Sequence, residues 1–305
     1  MLKELINKYH RVTVLFSFSF DEDSTGVALA IYNILKNYKK SVEIVSYNKK
    51  DIPIYLDFLP NFSKIKDKID FDNSLIIYCD KRCVNLFNLN NREILNLDFY
   101  KKSQNCISMW EIAFKLFKSD FVIDRSSATC FYTSFLLDIK YFKTNSLTKE
   151  VFDVSSDIIA DDIDISEISY NLNQRKSLSS LRILGSTLQE LTLHCNGEVS
   201  IMIVTKENIK KSGAKYSDLL EVVNYGISLV TVKISIVLIE LDNSIYIYLR
   251  GKKDIDVLSL ALNYGGSGEK MASYFEIKID NIEVFLKDLI NNIKEMELLN
   301  EIQTK

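Results

Sequence analysis

Apolar residues change their spacing along this chain, and the change divides it. In the first half, short continuous apolar runs alternate with segments whose apolar residues recur every three to four positions. The runs 12–18 (VTVLFSF), 41–47 (SVEIVSY), 74–80 (SLIIYCD) and 93–98 (EILNLD) have the length and composition of buried strands. Segments 24–38, 106–119 and 127–138 carry helical spacing, with Ser24 placed to cap the first, and 1–10 reads as a short helix. Such alternation predicts an α/β unit: a mostly parallel sheet with helices on both faces.

From about 145 to 190 the pattern is helical, and 174–190 is expected to be a linker helix. Beyond it, 198–204, 231–241, 244–250 and 272–279 alternate as strands do, with DNSI offering a tight turn between the second and third. A helix is expected over 254–264, and an amphipathic helix follows the last strand. The reading is therefore two domains, 1–185 including the linker helix and a smaller α+β domain over 191–305, facing each other across a cleft.

Composition narrows the function classes. The chain has 305 residues, 47% hydrophobic and 26% charged, the mix of an ordinary globular protein. Only 9 Gly and 2 Pro exclude collagen-like and Pro-rich disordered classes. A net charge of −3 argues against a general duplex-DNA binder and leaves room for a local basic groove. With only His10 and His194 present, a centre built on several histidines is excluded by counting. Five cysteines, mostly inside apolar runs, point to reduced core thiols. No run reaches the roughly 18 to 20 apolar residues of a membrane span, and the charged N-terminus does not resemble a signal peptide. A cytoplasmic protein is expected.

Two constellations carry candidate chemistry. Apolar runs stop at aspartate four times, giving Asp21 with Asp23, then Asp80, Asp98 and, at a helix end, Asp138. In an open parallel sheet ligands bind beyond the carboxyl ends of the strands. Carboxylates gathered there call for a hard cation such as Mg²⁺ or Mn²⁺. A single aspartate after a strand is ordinary, because it caps helices and starts turns; the set, with its Asp-x-Asp pair, points to a site. The second constellation is Tyr264-Gly265-Gly266-Ser267-Gly268-Glu269-Lys270, three of nine glycines within four residues. It suits either a tight turn or an anion cradle, for which Arg250 would supply a phosphate-binding fork.

In this order the two constellations resemble the DHH/DHHA1 phosphoesterases, in particular the short-oligoribonucleotide and pAp-phosphatase group, over nearly the whole chain. The family's His-x-x-x-Asp-x-Asp-x-x-Gly motif stands here as Ser17, Asp21, Asp23 and Gly26. Its second-motif aspartate matches Asp80, and its Asp-His-His motif matches Asp98-Phe99-Tyr100. The Ser-Ser element matches Ser126 and Ser127, and the fourth-motif aspartate matches Asp138. Arg250 and the run Gly266 to Phe275 match the arginine and glycine-rich signature of the second domain, with Gly265, Gly266, Gly268 and Lys270 as expected substrate contacts.

All four histidine positions depart, becoming Ser17, Phe99, Tyr100 and Glu269, and Tyr274 replaces a family glycine. The resemblance implies that those histidines bind two Mn²⁺ ions or contact the substrate. Serine is a poor replacement ligand and phenylalanine none. A degenerate phosphoesterase that acts by binding is therefore expected, with no catalytic residue and no cofactor. Its partner would be another protein, a nucleotide or a short oligonucleotide. Lys81, Arg82, Lys101, Lys102 and Lys140 would neutralise the aspartates. The alternative is an active Mn²⁺- or Mg²⁺-dependent phosphoesterase on pAp, short RNA or cyclic dinucleotides, its metal held by Asp21, Asp23, Asp80 and Asp138.

Overall fold

A computed structural model describes residues 2–17, 23–47, 49–79, 87, 89, 92–100, 108–142, 147–159, 162–215, 218–219, 222–252, 254–278, 282–296 and 298–299, without the side chains at 51, 98, 99 and 283. The chain divides into two compact units, Met1–Arg175 and Lys176–Lys305. The helix Leu178–Gln189, read from the sequence as part of a linker, belongs to the second unit.

The first unit is built on a five-stranded sheet, β1 (Arg11–Phe16), β2 (Ser41–Ser46), β3 (Ile65–Lys66), β4 (Leu75–Tyr78) and β5 (Ile94–Asn96). The strand order is β3-β2-β1-β4-β5, and every neighbouring pair is parallel. Alternate residues serve two apolar layers, which is why these strands read as unbroken apolar runs. Val12, Val14, Phe16, Ile44 and Ile77 join the main core, while Leu15, Val45, Ile76 and Tyr78 pack with Leu89 on the opposite face. Toward the N-terminal ends of the strands, Glu43 is buried and its charge is met. It accepts from Thr13 Oγ1 (2.8 Å), the Asp70 N–H (3.0 Å) and the Phe71 N–H (3.1 Å), with Lys66 Nζ at 3.4 Å.

The helices α1 (Leu2–Asn7), α2 (Ser24–Asn37), α3 (Met109–Asp120), α4 (Arg125–Asp138), α5 (Lys149–Ile159) and α6 (Ile165–Asn173) complete the unit. Every residue of α2 from Ser24 to Leu35 is buried. Its N-cap is Asp23, one residue before the Ser24 expected from the sequence, and the Asp23 side chain makes no capping bond. The aspartate reaches that position because Ser24 already has helical geometry as the first residue of α2, its hydroxyl donating to Ser17 O at 3.2 Å.

The second unit has a six-stranded mixed sheet, β6 (Thr192–His194), β7 (Val199–Val204), β8 (Ile234–Glu240), β9 (Ile245–Gly251), β10 (Ser267–Glu269) and β11 (Ala272–Ile277), ordered β10-β11-β9-β8-β7-β6. Only β7 and β8 run parallel. The expected β8–β9 hairpin forms, with the Leu241 N–H donating to Ser244 O at 2.9 Å. Helices α7 (Leu178–Gln189), α8 (Lys206–Ser212), α9 (Val222–Ile227), α10 (Val257–Asn263) and α11 (Ile282–Glu295) cover it. On one face Ile245, Ile247, Leu249 and Phe275 pack with Leu260 and Leu289; on the other Met202, Val204, Val237 and Ile239 pack with Ile183, Val222 and Val223. The short β3, β6, β10, α8 and α9 were not picked out by the sequence pattern.

Candidate functional site

The parallel register sets the geometry at the carboxyl edge of the first sheet. Phe16 pairs with Ser46, Leu15 with Tyr78 and Tyr78 with Asn96, so β2, β1, β4 and β5 end side by side. Strand order reverses between β1 and β4, the position at which open α/β sheets bind ligands. Asp21, Asp80, Lys81, Arg82, Lys101 and Lys102 lie outside the described residues. Asp98 and Phe99 belong to a 3₁₀ turn, Leu97–Tyr100, immediately after β5, and their side chains lie outside the described set.

Four sequence-predicted residues of this edge are described in full. Ser17 follows β1 and is wholly buried, and its hydroxyl has no hydrogen-bond partner among the described residues. The neighbouring hydroxyls of Thr25 and Ser46 share both properties. Asp23 is 1% exposed at the start of α2. Tyr100 is half-buried and packs against the main apolar core. Asp138, the last residue of α4, accepts hydrogen bonds from Ser108 Oγ and from the indole N–H of Trp110, the latter at 3.0 Å. Trp110 itself is fully buried, so Asp138 serves a structural donor that has no water to turn to.

The motif glycine and serines also have local physical roles. A Cβ on Gly26 would lie 2.2 Å from Ser134 Oγ and 2.5 Å from the Cys130 carbonyl oxygen, so α2 and α4 touch there only because the residue is glycine. Ser134 Oγ in turn donates to the Asp23 carbonyl at 2.7 Å. Asp124 caps α4, accepting from the Ser127 hydroxyl and from the Ser127 N–H at 3.0 Å. Burial opposes ionisation of Asp124, but these bonds and one from Asn37 outweigh it and hold its carboxyl below the ordinary value.

In the second unit the glycine-rich run is a helix stop followed by a hairpin. Gly265, at φ +72, is the left-handed residue after α10. Its N–H donates to Leu262 O at 3.0 Å, and the Gly266 N–H donates to Ala261 O at 2.9 Å, the paired bonds of a Schellman cap. Those two N–H groups thus serve the helix end. Gly268 lies in β10, which pairs with β11. The register aligns Glu269, Ala272, Arg250 and Ser235 in one cross-strand row, and Ser267, Tyr274, Tyr248 and Val237 in the next. Arg250, Glu269 and Tyr274 therefore share one face of the sheet. Arg250 Nε donates to Asn224 Oδ1 of α9 at 3.3 Å. Lys270, in the turn between β10 and β11, accepts at its carbonyl from the Val257 N–H at 2.8 Å.

The side chains described at this edge are a mixed set for metal ions. Ser17 offers a neutral hydroxyl and Tyr100 packs against apolar neighbours, whereas Asp23 brings a buried carboxylate and Asp138 a carboxylate whose two donors both meet Oδ2. Among the described residues no three His, Cys, Asp or Glu side chains stand together as a metal-ion group, and no helix is long and apolar enough to cross a membrane.

No protein-family model matches the sequence, and no curated protein is significantly similar to it. Solved structures are similar in fold. An exopolyphosphatase-related protein from Bacteroides fragilis superposes with a TM-score of 0.77 at 22% identity, covering 98% of this chain and 96% of that one. The exonuclease RecJ bound to manganese gives 0.50 at 10% identity, over 98% of this chain and 93% of that one. RecJ in complex with Mg²⁺ from Thermus thermophilus gives 0.51 at 10% identity, with only 51% of that longer chain covered. These likenesses establish a DHH-type fold, a parallel five-stranded sheet flanked by helices plus a second mixed-sheet domain.

Proposed function

We propose that this chain is a degenerate phosphoesterase homologue that works by binding and does not hydrolyse. One observation carries the reading: Ser17, the position matched to a family histidine, is a wholly buried, neutral hydroxyl. Tyr100, half-buried against the apolar core where the family has a histidine, points the same way. Two-metal phosphoryl transfer needs ions that clamp the attacking and leaving oxygens, and these residues are poor holders of such ions.

The binding surface is the Arg250 face of the second sheet. Its ligand is a nucleotide or short oligonucleotide whose phosphate meets the guanidinium, with Lys270 nearby. A protein partner is the competing occupant. The buried Asp23 favours the second reading, a metal-dependent phosphoesterase in which Mn²⁺ or Mg²⁺ persists with Asp21 and Asp80. Calorimetric titration of the protein with MnCl₂, run beside hydrolysis of a two-nucleotide RNA, separates the readings. Weak or absent Mn²⁺ binding without turnover is expected; stoichiometric Mn²⁺ binding with turnover selects the enzyme.

A further inference from the structure

Helices α7 and α9 cover one face of the second sheet over β7 and β8 through Ile183, Val222 and Val223, and α9 also reaches β9, where Asn224 accepts from Arg250. On the β9 and β11 portion of the same face stand three tyrosines. Tyr246 and Tyr248 are half-buried against that apolar layer. Tyr274, on β11, lies on Tyr246 with ring centroids 5.5 Å apart and planes 16° apart, and it remains 41% exposed. Tyr246 and Tyr248 are themselves in ring contact at 4.8 Å. Arg250 follows Tyr248 two residues along β9, on the same face and about 7 Å further on.

This is a stack with one layer missing. Tyr246 packs against the core, Tyr274 stacks on Tyr246, and Tyr274 remains 41% exposed. A planar ring laid on Tyr274 meets a surface already ordered, so little side-chain entropy is lost on binding. An exposed ring with a guanidinium in the next row of the same face matches a ligand that joins a flat ring to an anion.

We propose that Tyr274, backed by Tyr246 and Tyr248, stacks the base of a nucleotide whose phosphate is held by Arg250. The proposal deepens the binding reading above and rests on it. Stacking reads the face of a base and not its edge, so it tolerates different bases. Glu269 lies in the Arg250 row and opposes the phosphate, which keeps binding moderate.

The test is calorimetric binding of AMP and of ribose 5-phosphate to the full chain and to Tyr274→Gly, Tyr274→Phe and Arg250→Lys, each checked for folding by circular dichroism. AMP should bind about 5- to 150-fold more tightly than ribose 5-phosphate. Tyr274→Gly should remove that preference, Tyr274→Phe should keep it, and Arg250→Lys should weaken both ligands. No AMP binding by the unaltered chain, or an AMP preference that survives Tyr274→Gly, overturns the proposal. Ribose 5-phosphate binding that depends on Arg250 without any AMP preference sinks the stack and leaves the binding reading standing. Release of phosphate from pAp, with the Tyr274-dependent preference intact, overturns the non-hydrolytic reading alone.

Discussion

The carboxylate of Asp138 accepts the indole N–H of Trp110 at 3.0 Å, tying the end of α4 to the start of α3. This contact makes stability, not turnover, the first property that Asp138 should control. Asp138→Ala leaves a buried indole donor unmet and should cost about 1–3 kcal/mol in urea unfolding. Asp138→Asn keeps an acceptor and should cost less. An Asp138→Ala protein of unchanged stability would contradict the assignment.

Gly26 separates two backbones that no side chain fits between. Gly26→Ala should destabilise the first unit by about 1–3 kcal/mol through overpacking against Ser134 and Cys130. Equilibrium unfolding followed by the fluorescence of Trp110 reads this directly, since Trp110 lies in the same unit. A neutral outcome would mean that α2 and α4 shift apart at little cost.

Asp124 gives the fold a pH dependence with a definite sign. Its folded carboxyl sits below the ordinary value of 3.8, so its contribution to stability is complete above that value and is lost as pH falls through the folded one. Asp124→Ala should cost about 0.5–2 kcal/mol at neutral pH, the worth of an N-cap, and its difference from the parent should vanish at strongly acidic pH. A difference that stays constant with pH would remove the ionised cap as its cause.

Much of this architecture was legible because it follows spacing. The unbroken runs of β1, β2 and β4 announce strands buried on two faces, and DNSI announces the β8–β9 turn. The short elements were not legible: β3, with two residues, and β10, with three, owe their pairing to neighbours rather than to any pattern of their own. The glycine-rich run was visible as a backbone requirement, and part of its cause is local, the closing of α10 onto the Leu262 and Ala261 carbonyls; the close approach of β11 to Gly266 and Gly268 is what spacing does not reveal. Asp138 illustrates the same limit at the site. Its place at the end of an apolar run was plain; that Trp110, 28 residues earlier, would donate to it was not.

Glu269 weakens phosphate binding in this account, because it shares a cross-strand row with Arg250. Glu269→Gln should therefore tighten ribose 5-phosphate binding, and the gain should shrink as salt is raised. Unchanged affinity at low salt would place the anion away from this face.

The central claim is the absence of hydrolysis, and pAp in the presence of Mn²⁺ tests it most directly. Phosphate release by the purified chain is compared with release by Asp80→Asn, the position matched to the family's second-motif aspartate. The account predicts no turnover above background in either protein and little change in stability between them. Turnover by the unaltered chain that disappears in Asp80→Asn would contradict it.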